Sequence, residues 1–213
     1  MAKGAFGAMS ETGQMKLPEV LEIIRCHRED AVVVTTMGSA CEWQQFEPHP
    51  KDLVYIPSSM GQGPPLGLGI ALAQPAQRVI VVNGDGCLLM NLGTLVTISA
   101  QAPKNFTLIN IENGLYEVTG GQATAAAAAK RKGQTPVVFT ELARGSGFGE
   151  IHEFENIETW RDGVGVMHHE GPVFINLKVA PSAEKLRARS PGPALQRAQK
   201  LRETLCRTPD PSV

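Results

Sequence analysis

The chain has 213 residues, enough for one domain that buries about 70% of the surface its unfolded form would expose. Its 20 basic and 21 acidic residues are well mixed and leave a formal charge of −1, so nothing in the balance favours nucleic acid or an anionic membrane. Cys26, Cys41, Cys87 and Cys206 include no Cys-x-x-Cys pair, and the histidines show no zinc spacing, which argues against a disulfide framework or structural metal and for a reducing cytoplasm.

Residues 1–15 are Gly/Ala-rich without the apolar stretch of a secretory leader and read as a loose arm. No run of about 18 apolar residues follows, so a soluble protein that is not exported is expected. Leu17 to Arg28 carries apolar residues at Leu17, Val20, Leu21, Ile23 and Ile24, with Pro18 suited to a first turn, and predicts a helix. Ala31 to Thr36 is the first strand. Gly61 to Ala73 is Gly-rich yet keeps Leu66, Leu68, Ile70, Ala71 and Leu72, which suits a helix packed closely on other backbone.

Val79–Asn83 then predicts a strand, Leu88–Ala102 a helix and Phe106–Ile111 another strand, with Pro103-Lys104-Asn105 as the break between the last two. Thr119 to Gly133, with Gly120-Gly121, five alanines and Lys130-Arg131-Lys132, is a short helix or a mobile flap. Val137–Gly147 and Ile157–His169 read as helices and Val173–Val179 as the last strand. Beyond Pro181 a basic, Pro-interrupted tail ends in a helix near Ala194–Cys206. The division expected is an arm over 1–15, a domain over 16–182 and a tail over 183–213. Apolar runs alternating with helical patterns define an α/β class, a parallel, doubly wound sheet covered on both faces.

Two strand ends carry the chemistry. Gly84-Asp85-Gly86 closes the run from Val79 to Val82, and Glu112-Asn113-Gly114 closes the next strand, with Asn113 twenty-eight positions after Asp85. A diphosphate bridged to a divalent cation needs backbone N–H groups for its oxygens, and a carboxylate and a carboxamide reaching the metal from two directions. Neighbouring parallel strands joined by one crossover deliver such ligands to one crevice at their carboxyl ends. A Gly-Asp-Gly alone is ordinary turn chemistry. Its place between strand and helix, its Asn partner and the preceding Ser58-Ser59-Met60-Gly61 turn make it specific.

Residues 81–95 together with 111–122 resemble the diphosphate-binding domain of thiamine-diphosphate-dependent 2-oxoacid decarboxylases. The nearest likeness is to the beta subunit of sulfopyruvate decarboxylase and the matching half of phosphonopyruvate decarboxylase, from about Val32 to Val179. The resemblance implies that Asp85, the Asn113 side-chain oxygen and the Leu115 carbonyl hold Mg2+. It places Gly38, Ser39, Gly84, Gly86, Cys87 and Tyr116 at the cofactor, with Gly86 letting backbone approach the diphosphate. Cys87 stands where many members have Ser or Ala. The Ser58 carbonyl and Met60 N–H would meet the aminopyrimidine edge, and the Met60 side chain would prop the cofactor in its bent form.

In that superfamily the glutamate on pyrimidine N1′ comes from a separate pyrimidine-binding domain, for which this chain leaves no room; Glu19, Glu22 and Glu29 suit a helical surface. The expectation is one subunit of a two-component 2-oxoacid decarboxylase, inactive alone, completed by a pyrimidine-domain partner and self-associating through helices 61–73 and 88–102. His49, on the loop before the cofactor turn, is the better proton-transfer candidate than His152, His168 or His169. Lys130–Lys132 or Arg144 could meet a sulfonate or phosphonate. Two alternatives stand: a beta subunit of a 2-oxoacid–ferredoxin oxidoreductase, against which the four scattered cysteines argue, and a non-catalytic cofactor-binding scaffold of the same fold.

Overall fold

Uninterrupted burial along the strands shows that both faces of the sheet are covered. Val32–Thr36, Val79–Asn83, Phe106–Ile111 and Val173–Leu177 contain no exposed position. The computed structural model describes residues 14–182 and 189–206; the expectations for residues 1–13, 183–188 and 207–213, and for the side chains of Lys130 and Arg131, lie outside the described residues. In chain order the elements are α1 (Leu17–His27), β1 (Val32–Thr36), α2 (Met37–Trp43), β2 (Asp52–Tyr55), α3 (Gly63–Ala73), β3 (Val79–Gly84), α4 (Asp85–Leu89), α5 (Gly93–Gln101) and β4 (Phe106–Glu112). There follow β5 (Leu115–Tyr116), β6 (Gln122–Ala123), α6 (Ala125–Arg131), α7 (Phe139–Gly145), β7 (Glu150–Phe154), α8 (Ile157–Gly163), β8 (Val173–Lys178) and α9 (Ala194–Cys206).

Six parallel strands form one sheet in the order β2-β1-β3-β4-β8-β7, and β5 and β6 make a small antiparallel ribbon beside it. One face is filled by Leu21, Ile24, Val33, Ile80, Ile109, Trp160 and Ile175, under α1, α2 and α8. The other holds Val34, Leu68, Val81, Leu95, Phe106, Phe139 and Phe174, under α3, α5 and α7. This is the doubly wound α/β architecture. Chain order reverses between β1 and β3, which opens a crevice at their carboxyl ends.

The Gly-rich α3 packs as its composition requires. A Cβ on Gly67 would stand 2.2 Å from Val81 Cγ2 and 3.2 Å from the Phe106 ring, so only glycine lets this helix lie so near β3. Asn105 fixes the other end of that contact, its amide donating to the carbonyls of Ala71, Gln74 and Gln77.

Several expectations are corrected. The helix expected over 88–102 is two, because i→i+3 bonds from Met90 to Cys87 and from Asn91 to Leu88 tighten and end α4 before α5 begins. The helix expected over 157–169 ends at Gly163 and continues as a 3₁₀ segment through Val164–His168. β2, α2 and β7 lie where no regular element was read. Within the expected arm, Met15 is buried and tied to the chain just past the end of β8: it bridges Val179, and its carbonyl accepts the Ala180 N–H at 2.8 Å. The predicted helix 194–206 is present as α9 and docks through buried Leu201 and through Arg197, which donates to the carbonyls of Val54 and Ile56.

Candidate functional site

Parallel register sets the site. Asn83 pairs with Asn110 and Gly84 with Ile111, so β3 and β4 end at one height and Asp85 emerges beside the 112–115 turn. Asp85 is 2% exposed. Its Oδ1 accepts the Gly86 N–H at 2.8 Å and its Oδ2 accepts the Gly114 N–H at 3.0 Å, which clamps the two strand ends together. Asn113 Oδ1 accepts the Leu115 N–H at 2.9 Å, so its side chain is held in an Asx turn.

Burial pushes the Asp85 carboxyl up to about 6; the Gly86 and Gly114 N–H groups pull the other way, and the charges of Glu112 and Glu117 add to the rise. A carboxylate offers about four lone-pair positions, and two are taken by backbone here. The remaining positions, the negative surroundings and the oxygen-only donors of Asp85 and Asn113 suit a hard divalent cation.

The crevice beside Asp85 has a cavity volume of about 50 Å3 and is open to solvent. Its walls are the end of β1 and the first turn of α2 (Thr36 to Ser39), Met60, the Gly84–Cys87 turn, and residues between Ile111 and Thr119. Met37 has φ +47°, an uncommon conformation for a non-glycine residue, at the point where β1 turns into α2. Its thioether takes the Ser58 hydroxyl at 3.4 Å, and Asn91 holds the Gly61 carbonyl at 3.0 Å. The 58–61 turn is therefore fastened to Met37 in the crevice wall and to the link between α4 and α5. The break between α4 and α5 is what turns Asn91 toward it.

Gly86 answers to a neighbour as well as to backbone approach: a Cβ there would stand 2.5 Å from the Tyr116 ring, which closes over it. Cys87 is buried, and burial pushes its thiol up despite hydrogen bonds from the Gly61 backbone and the Thr36 hydroxyl. It stays protonated and links α4 to the same 58–61 turn.

Of the residues singled out from sequence, Gly38, Ser39, Met60, Gly84, Asp85, Gly86, Cys87, Asn113, Leu115 and Tyr116 all line this one crevice. Ser58 stands just behind, through Met37. His49 does not belong to it. It precedes β2 at the amino end of the sheet, where its N–H donates to Asp52 and its Nδ1 accepts the Lys51 N–H. Burial and the nearby Arg28 lower its pKa. His152 lies in the middle of the edge strand β7, its ring bonded to Glu150 at the start of that strand, and His169 lies in the turn before β8; neither lines the crevice. Arg144 pairs with Glu141 on the outside of α7 and is not among the crevice residues. Glu22 likewise pairs with Arg25, on α1.

Sequence reading missed Leu17, Glu117, Val118 and Thr119 in the crevice wall. Glu117 is positioned from a distance: its carboxylate accepts the Ser182 N–H at 2.5 Å and the Ser182 hydroxyl at 3.3 Å. Its position directly after Tyr116 was the only available signal.

A carboxylate and a carboxamide stand together at adjacent parallel strand ends, beside the topological switch point of an α/β domain. Residues 35–177 match the family described as thiamine pyrophosphate enzyme, C-terminal TPP binding domain, and the chain belongs to that family. It is 33% identical over 164 residues to the sulfopyruvate decarboxylase subunit beta of Methanothermobacter thermautotrophicus, covering 76% of this chain and 81% of that one. It is 32% identical over 157 residues to the phosphonopyruvate decarboxylase of Streptomyces viridochromogenes, covering 73% of this chain but 37% of that protein. A crystal structure of a Mycobacterium smegmatis protein considered a thiamin diphosphate-dependent enzyme superposes with a TM-score of 0.64 at 19% identity, over 79% of this chain and 32% of that one. At that identity it shows the fold alone. Among the described residues no helix is long and apolar enough to cross a membrane.

Proposed function

We propose that this chain is the diphosphate- and Mg2+-binding subunit of a two-component thiamine-diphosphate-dependent decarboxylase acting on a small 2-oxo acid of the sulfopyruvate or phosphonopyruvate kind. The observation that carries the reading is the buried Asp85 carboxylate, bridged between the Gly86 and Gly114 N–H groups with the Asn113 carboxamide beside it, at the switch point of the sheet.

In this reading Asp85, the Asn113 side-chain oxygen and the Leu115 carbonyl hold Mg2+, while Gly38, Ser39, Gly84, Gly86, Cys87 and Tyr116 receive the diphosphate end of the cofactor. The bound cofactor supplies a nucleophilic carbon and an electron sink for the electrons released with carbon dioxide. The protein's part is positional. Met60, on a turn fastened by Ser58 to Met37 and by Asn91 to Gly61, supports the cofactor's bent form and offers its backbone to the pyrimidine edge. A cation held beside Asp85 would offset the penalty of an ionised buried carboxylate.

The two-component arrangement is supported by the likeness to a relative named as a beta subunit, of which the chain spans 81%; it spans 37% of a decarboxylase not named as a subunit. The partner is a pyrimidine-binding domain supplying the N1′ glutamate. Leu72, Met90 and Val96, large apolar residues on the exposed sides of α3 and around α5, suit the subunit contacts. Part of the α3 face is engaged within the chain, however, since α9 flanks it across a groove lined by Leu66, Ile70 and Leu201.

The test is reconstitution. The chain alone, with Mg2+ and thiamine diphosphate, should release no carbon dioxide from 3-sulfopyruvate, 3-phosphonopyruvate or pyruvate. Adding the pyrimidine-domain partner should give turnover and tighten cofactor binding. Decarboxylation by the chain alone at about 1 per second or more, within the usual enzyme range, would refute the two-component reading.

A further inference from the structure

At the amino end of the sheet, opposite the cofactor crevice, three side chains with metal-ligating atoms converge. Glu150 and His152 are two apart on the edge strand β7 and project from the same face. His169 comes from the turn that enters β8, the strand β7 pairs with. Glu150 Oε1 lies 2.7 Å from His152 Nε2 and 2.8 Å from His169 Nδ1, and the three ligand atoms all fall within 4.8 Å of one another.

The supports of these side chains are rigid. The His152 ring stacks on Phe154, which packs in turn on buried Trp160. Arg78 holds the His169 turn by donating to the carbonyls of Met167, His168 and His169, and the Gly171 N–H donates to the Lys104 carbonyl at 2.8 Å. Because Arg78 sits at the start of β3 and Lys104 just before β4, the turn is fixed against two other strands. Side-chain exposures of 26% for His152, 38% for Glu150 and 52% for His169 leave the cluster open to an ion from solvent.

We propose that Glu150, His152 and His169 form a binding site for a divalent transition metal of the zinc class. Two imidazole nitrogens and one carboxylate oxygen are a donor set that favours zinc, nickel or cobalt over magnesium, and the remaining coordination positions face water. The rings now share their N–H groups with one carboxylate oxygen. On binding metal, each neutral imidazole shifts its proton to its outer nitrogen and presents a lone pair, with no change in net ring charge. The consequence is structural: the metal would pin the edge strand to the turn before β8. No linear spacing reveals such a site, since β7 and the His169 turn meet only through parallel pairing.

The test uses the full-length, tag-free chain carrying Cys26→Ser and Cys206→Ser, which removes its exposed thiols. Titration with Zn2+ by calorimetry should show one saturable equivalent and a raised melting temperature, and Co2+ should give visible absorption without thiolate charge-transfer bands. Glu150→Gln, His152→Gln and His169→Gln should each weaken binding at least about tenfold. Asp85→Asn and His49→Gln should leave it unchanged, and millimolar Mg2+ should not compete. Absence of saturable Zn2+ binding, or binding equally strong in all three variants while each keeps the parent's circular dichroism spectrum, would overturn the proposal. Neither result bears on the cofactor crevice, which lies at the other end of the strands.

Discussion

Replacing Asp85 by Asn should make the cofactor-free chain more stable at neutral pH while destroying Mg2+-dependent thiamine-diphosphate binding. The magnitude follows from burial. The carboxyl titrates at about 6 in the fold against an ordinary 3.8, and that gap corresponds to about 3 kcal/mol. Because folding raises the pKa of this acid, the native state holds its proton more tightly than the unfolded chain does. The stabilisation is fully present below about pH 3.8 and is lost as pH rises through about 6. Asparagine removes the charge but returns only one acceptor, so either the Gly86 or the Gly114 N–H loses its partner, at about 1–3 kcal/mol. A net gain of up to about 2 kcal/mol remains at pH 7.5, or up to about 8 °C in melting temperature for a chain of this size. The assay is a pair of melting curves, one at pH 7.5 and one at pH 4, where the gain should vanish or reverse. Calorimetry with Mg2+ and thiamine diphosphate completes it. Unchanged cofactor affinity in a folded variant, or a melting difference independent of pH, would refute the reasoning.

The other predictions test separate parts of the site. Met60→Ala should leave cofactor affinity within about tenfold yet lower the turnover of the reconstituted enzyme by much more; equal losses would reduce Met60 to a packing residue. Gly86→Ala should force the Tyr116 ring aside and cost about 1–3 kcal/mol in denaturant melts, and Tyr116→Ala in the same chain should recover part of it. His49→Gln should leave turnover of the reconstituted enzyme unchanged, since the residue sits at the far end of the sheet; a loss beyond about tenfold would show that the crevice reaches it.

Legibility in the sequence followed burial and backbone demand. β1, β3, β4 and β8 were readable because a parallel strand covered on both faces is a continuous apolar run, as in Val79 to Val82. β7, Glu-Ile-His-Glu-Phe, lies at the sheet edge with no position fully buried, and its polar residues erase that signal. β2 fails for the same reason at the other edge, with every residue only half-buried. α2 was hidden because it starts directly at the end of β1 through the left-handed Met37, with no capping side chain to announce it. The crevice was more legible than the fold around it. Asp85, Asn113 and Met60 stand on turns whose glycines restrict where the chain can go, so residue type and spacing survive in one dimension. Glu117 escaped because its place in the wall depends on Ser182, sixty-five residues later, and contacts of that range leave no local pattern. His49 falls outside the crevice for the same reason from the other side. A loop shortly before the Met60 turn is near it in sequence, yet β2 runs between them and carries the chain from the amino to the carboxyl end of the sheet. In a parallel sheet one strand of four residues is enough to separate neighbours in sequence from neighbours in chemistry, so proximity to a motif counts only after the strands between have been placed.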